Sequence, residues 1–167
     1  MYGLVVASVF LLALAPATTS FAATNAPQSS TFKVQGIWTV YYLNSTVFKT
    51  IGNWQYGAGW GPGKITGGIH GANAFGTFLT AFNTKTGVIL FTGQIVCQCT
   101  IHGKSGTLWI TMIHGIDHNA NNPNGKTTAE LVITNASGGL AGTTGHGPMR
   151  TTTSSDDMNY TMWVTLG

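Results

Sequence analysis

Charge is what this sequence has least of. Lys and Arg number seven, Asp and Glu four, and charged residues make up 7% of the 167, against about 25% in an ordinary soluble domain. The cations are spread singly from Lys33 to Arg150. Binding nucleic acid needs clustered cations to neutralise phosphates, so the formal charge of +3 names no such partner. The four carboxylates are Asp117, Glu130, Asp156 and Asp157. The last two follow Ser154-Ser155 in a turn, and no two are placed to face each other across a cleft, as glycoside hydrolysis requires. Cysteine is nearly absent too, with only Cys97 and Cys99. On one strand they point the same way, near the upper limit of Cα separation for a disulfide. Export would make a bridge chemically accessible, given a local bulge, and two buried free thiols are the alternative. A metal site completed by His102 in a C-x-C-x-x-H pattern lacks further ligands nearby. His70, His102, His114, His118 and His146 never share a ligand spacing with carboxylates, so no metal is expected. G-x-S-x-G and H-E-x-x-H are missing, no cofactor is expected, and the sequence leans away from an enzyme. A capped helical period of useful length is missing as well.

Apolar residues are abundant, at 43%, with 11% aromatic. Disorder requires few apolar groups, so this chain should fold. Residues 4–14 form an apolar run followed by Pro16 and the small-residue stretch Ser20-Phe21-Ala22-Ala23, the pattern of a signal peptide over 1–23 cleaved after Ala22 or Ala23. The run is shorter than the roughly 20 residues that cross a bilayer. No Lys or Arg precedes it, which leaves a retained anchor as the alternative to cleavage. The expected location is secreted or cell-surface, with no stable membrane span after cleavage. Residues 24–31, polar and interrupted by Pro27, read as a flexible tether, and 32–167 as one domain large enough for a core.

Nearly every segment of that domain alternates with period two and is rich in Thr, Val, Ile, Trp and Tyr, the pattern of strands with one buried face. Strands are expected over 32–43, 47–54, 64–71, 74–82, 88–101, 107–115, 127–134, 145–152 and 158–166. Turn residues separate them: Asn44-Ser45, Gly61-Pro62-Gly63, 83–87, 102–106 and 119–125. Short connections favour antiparallel pairing. A sheet of this size must hide its edges by closing, and Gly36, Gly67, Gly68, Gly76 and Gly93 within strands mark the bends of a curled sheet. The expected fold is all-β, a closed antiparallel barrel of about eight strands.

Three stretches carry a family likeness: Ile65-Thr66-Gly67-Gly68-Ile69-His70-Gly71, His102-Gly103-Lys104-Ser105-Gly106-Thr107-Leu108, and Gly138-Gly139-Leu140-Ala141-Gly142-Thr143-Thr144-Gly145-His146-Gly147. Their order and separation resemble the glycine-spaced strand, central hairpin and late turn of domain-of-unknown-function family 3224, placed among allene-oxide-cyclase-like barrels. The resemblance covers about half the chain and implies the same closed barrel, with no definite activity. The wider superfamily includes cyclases and dirigent proteins, so a cofactor-free isomerase or cyclase is one implied reading. The family's central strand often carries a His where Met112 stands here; His114 follows two residues later.

Candidate ligand-binding residues are Trp38, Trp109, Met112, His114 and Glu130. Alternation puts His114 on the face of Leu108, Ile110 and Met112, where it would be a buried proton donor or a core histidine bonded to a carbonyl. Glu130 would be an inward general base or a solvent-facing strand residue. Trp38, Val40 and Tyr42 share a face, and with Trp54, Tyr56, Trp60, Trp109 and Trp163 they supply either an apolar ligand pocket or an ordinary β core. Asn44, Asn135 and Asn159 begin N-x-[ST] sequons. Three functions are compatible with these features. The first is a barrel binding a small apolar molecule, the second a structural or surface-association protein that forms oligomers, and the third a lumenal isomerase.

Overall fold

The computed structural model describes residues 30–118, 125–151 and 157–167. The expected signal peptide, most of the expected tether, residues 119–124 of the expected 119–125 turn, and residues 152–156 lie outside them. Among the described residues nine strands follow one another: β1 (Thr31–Val40), β2 (Asn44–Ile51), β3 (Trp54–Gly67), β4 (Gly71–Asn83), β5 (Ile89–Ile101), β6 (Lys104–Asp117), β7 (Thr127–Ala136), β8 (Thr144–Arg150) and β9 (Asp157–Thr165), with a 3-10 turn at Gly138–Leu140. Each pairs antiparallel with its neighbour in sequence from β2 to β9, and β1 pairs with both β9 and β3. That double pairing closes β1 and β3 to β9 into a barrel, as alternation and edge removal required.

Several expected boundaries move: Asn44-Ser45, expected as a turn, opens β2, the 64–71 strand ends at Gly67, β6 begins at Lys104 inside the expected 102–106 turn, and two further shifts shape the site. Gly61-Pro62-Gly63 is no turn; it lies inside β3, the longest stretch of the sheet together with β6. Along β3 the partner changes there, from β2 up to Trp60 to β1 from Gly63, and Pro62, which has no N–H to give, occupies the break. The real corner falls at Gly52-Asn53, inside the expected 47–54 strand, where Gly52 takes φ +57. β2 thereby becomes a ribbon outside the ring, all of its residues exposed.

The barrel is unequal along its axis. One end is filled by Ile69, Ile101, Leu108, Leu140 and Val164, each no more than 1% exposed. Burying side chains of this size contributes roughly 1.5–3 kcal/mol apiece before entropy is counted. Tyr160 on β9 fastens the corner after β3 at this end. Its hydroxyl accepts the Ile69 N–H at 3.0 Å and shares its proton between the carbonyls of Thr66, 3.0 Å, and Ile69, 3.1 Å. Burial pushes the phenol above its ordinary value of 10.0, and the bond from Ile69 opposes this in part. A raised folded-state value means the native protein holds the proton where the unfolded chain has released it, so stability is intact below pH 10 and falls above it. Tyr160→Phe should lower stability by about 1–3 kcal/mol at neutral pH, since a buried N–H loses its acceptor, and should flatten the alkaline decline. Urea titrations of both proteins at neutral pH and above pH 10 measure the two effects; an unchanged alkaline slope would remove Tyr160 as its source.

Candidate functional site

At the other end the inward positions are lined differently, and a cavity opens. It has a volume of about 540 Å³, within the range of roughly 300–1,000 Å³ usual for small-molecule sites. Its space comes from β3, where Gly57 and Gly59 stand at consecutive inward positions. A Cβ on Gly57 would lie 2.5 Å from the Thr46 carbonyl oxygen, so β2 can pair with β3 this closely only because no side chain is there. The walls are Phe78 and Phe82 from β4, Ile89 and Phe91 from β5, Val40 from β1, Leu43 just ahead of β2 and Val47 within it. Phe78 meets Phe91 edge-on at 6.4 Å and stacks on Trp38 at 5.7 Å, geometries that aromatic quadrupoles favour. Ser45, Thr46, Gln55, Thr80, Thr127 and Thr151 supply scattered hydrogen-bonding groups, and Asp117 is the one ionisable side chain in the lining among the described residues.

The sequence candidates divide between inside and outside. Trp38, 2% exposed, and Met112, fully buried, belong to the core; Trp38 touches the cavity through Phe78. Trp109 points outward from β6, half-buried between Val96 and Asn135. His114 does not continue the face of Met112. The β6–β7 register slips between Ile113 and Ile116, His114 takes φ +53, and its side chain is 83% exposed, 3.8 Å from the 46% exposed carboxylate of Glu130. Gly115 turns inward in its stead, against the Phe91 ring. A bulge of this kind re-aims one side chain across the sheet. His114 and Glu130 instead line a shallow outer groove with His146, Arg150 and Trp163. Acid–base chemistry in the lumen therefore cannot come from either residue. A contact this exposed contributes little to stability. Among the described residues no cluster of His, Cys, Asp or Glu could hold a metal ion.

The cysteines are joined. Cys97 and Cys99, buried on β5, form a disulfide across a Cα separation of 5.4 Å. The β5–β6 register runs without a shift from Gly93 to Ile101, but on the other side the pairing slips by one residue between Ala74↔Cys97 and His70↔Thr100, so residues 71–73 face the two positions 98–99. Gly71 makes room at this irregularity, with an added Cβ falling 2.7 Å from the Cys99 sulfur.

No protein-family model matches the sequence, and no curated protein matches it. A solved structure does. The fold is shared with a protein of unknown function from the DUF3224 family of Shewanella oneidensis MR-1. The two superpose with a TM-score of 0.55 at 17% identity, over 83% of this chain and 99% of that one. The three stretches that resemble the DUF3224 pattern all sit at the filled end: the β3–β4 corner, the β5–β6 hairpin, and the 3-10 turn leading into β8. A Cβ on Gly106 would fall on the Ser137 carbonyl, and one on Gly139 2.8 Å from that of Ser105. These glycines allow the second stretch to pack on the third. The likeness therefore concerns how the barrel is closed, and none of its residues lines the cavity.

The cavity residues carried a fainter signal. Ala74, Gly76, Phe78, Thr80 and Phe82 alternate along β4, and Gly57, Gly59, Gly61 and Gly63 alternate along β3, the small residues marking where an inward wall leaves space. Read as punctuation between strands, the glycines concealed it.

Proposed function

We propose that this chain is an exported barrel of the DUF3224 type that binds a small, largely apolar molecule in the open end of its lumen. The observation that carries the reading is the aromatic-walled cavity above a solid core. The core denies the ligand any deeper passage, and the walls exclude water from an apolar body. Hydroxyls and the Gln55 amide offer hydrogen bonds from the walls. The proposed ligand is thus a neutral, largely apolar molecule. Export is supported by the apolar leader and by the Cys97–Cys99 bridge, which suits an oxidising compartment. Family membership is supported by the order of the three motifs together with the common fold.

The environment-sensitive probe N-phenyl-1-naphthylamine, apolar and uncharged at neutral pH, tests the site. Its fluorescence should rise in saturable fashion on addition of the protein. Thr80→Trp, which fills the lumen from β4, should weaken binding at least about tenfold, the loss expected when a well-formed apolar contact is denied. A probe that stays dark, or binds Thr80→Trp as tightly, would discard the cavity as a binding site.

A further inference from the structure

Every strand of the ring has partners on both sides, whereas β2 is paired only with β3 among the described residues. The carbonyls of Asn44 and Thr46 point toward β3, against the bare Cα positions of Gly59 and Gly57. The intervening Ser45 and Val47 therefore present their N–H and C=O groups to the open side, as alternation along an antiparallel strand dictates. The side chains around this edge are apolar. Tyr41, Tyr42, Leu43, Val47, Phe48 and Ile51 are each 52% to 64% exposed. Natural edges repel partners with charge and bulges. This one has a single charge, Lys49, and a single register shift, between Val47 and Lys49.

We infer that β2 is a dimerisation strand, pairing antiparallel with β2 of a second copy so that two barrels share a continuous sheet. A lipid surface would cover the side chains but leave the Ser45 and Val47 backbone groups without partners, which hydrocarbon does not tolerate. Another strand satisfies both at once. A two-fold axis makes an antiparallel strand its own complement. In the register centred between Val47 and Phe48, Lys49 lies opposite Thr46, so the only charges do not meet. Tyr41, Tyr42, Phe48 and Ile51, which do not line the cavity, expose roughly 500 Å² per protomer on ordinary residue areas, and the backbone of the exposed strand adds to this, against about 800 Å² per partner in a standard stable interface. Because β2 is the one free edge of the described sheet, pairing stops at two copies and does not propagate into a fibre.

Sedimentation velocity of the purified protein from low to high micromolar concentration tests this. The wild type should sediment as a dimer. Phe48→Lys, which adds a second charge at the middle of the edge, should weaken association at least about thirtyfold, as removal of a central interface anchor does. Phe48 does not line the cavity, so naphthylamine binding by this variant should persist; that separates failure of the dimer from failure of the ligand site. Ser45→Pro removes an outward N–H while sparing the bonds to β3, and should also give a monomer with unchanged circular dichroism. A wild-type monomer at every concentration overturns the inference, whether or not it floats with phosphatidylcholine vesicles, and flotation would reassign the patch to lipid. Variants that remain dimeric overturn it as well, since the contact must then lie elsewhere, such as the outer face bearing Trp60 and Leu79.

Discussion

Trp38→Ala should destabilise the protein by about 3–5 kcal/mol, the range for deleting a large buried ring. That is a substantial part of the roughly 5–15 kcal/mol that holds a domain folded. The indole is 2% exposed and stacks on Phe78. A Cβ on Gly76 would lie 2.9 Å from its ring, so neighbouring atoms already approach as closely as a glycine allows. With no side chain there to swing into the gap, a hole would remain beneath Phe78. The hole joins the lumen, and naphthylamine binding by whatever protein stays folded should be retained. Trp38→Phe sharpens the test. The indole Nε1 meets no acceptor among the described residues, and a buried donor left so costs about 1–3 kcal/mol. Phenylalanine removes that donor along with part of the ring, so its cost should be less than half that of alanine. Urea midpoints at constant slope measure both. An alanine variant within about 1 kcal/mol of wild type would contradict the packing described for Trp38.

What the sequence made legible was the part of the molecule governed by period two. The 88–101 segment was expected as a strand and is one over Ile89–Ile101, and the 158–166 segment is one over Asp157–Thr165. In both, alternating Ile, Cys, Tyr, Met and Val faced a single core, so pattern and burial agreed. Closure was legible for a related reason: nine alternating segments with short connections leave edges that must be hidden. The pattern failed wherever the period slipped by one residue. At Ile113 to Ile116 the slip sends His114 outward and Gly115 inward, and the only sequence mark is a glycine beside a histidine. At Gly61-Pro62-Gly63 the local chemistry of a turn yielded to a change of partner along β3, a long-range event no window of residues contains. The cavity was hidden for a third reason. It is made of what inward positions omit, and a row of glycines serves equally as wall, bend or corner until the opposing strands are known.

Gly36→Ala should be the most damaging single methyl group in the protein. Gly36 lies at the seam, facing Gly67 on β3 and Tyr160 on β9 at once. A Cβ there would fall on the Thr66 carbonyl oxygen and 2.5 Å from the Tyr160 hydroxyl. Thr66 accepts the Tyr160 proton, so the new methyl would separate the two groups that fasten the closed end and push β1 from the strand it must pair with. Overpacking a fixed site typically costs about 1–3 kcal/mol, and more when the obstacle is backbone that cannot rotate away; roughly 3 kcal/mol or more is expected here. Gly52→Ala is the contrasting substitution. Gly52 takes φ +57 with nothing within 4 Å of its would-be Cβ, so it should lose only the 1–2 kcal/mol or so of a left-handed residue. The two glycines thus separate steric closure from backbone conformation, and urea unfolding of both variants ranks them. If Gly36→Ala were as stable as Gly52→Ala, β1 could not lie against β3 as closely as the barrel requires, and the seam would have to be open in solution.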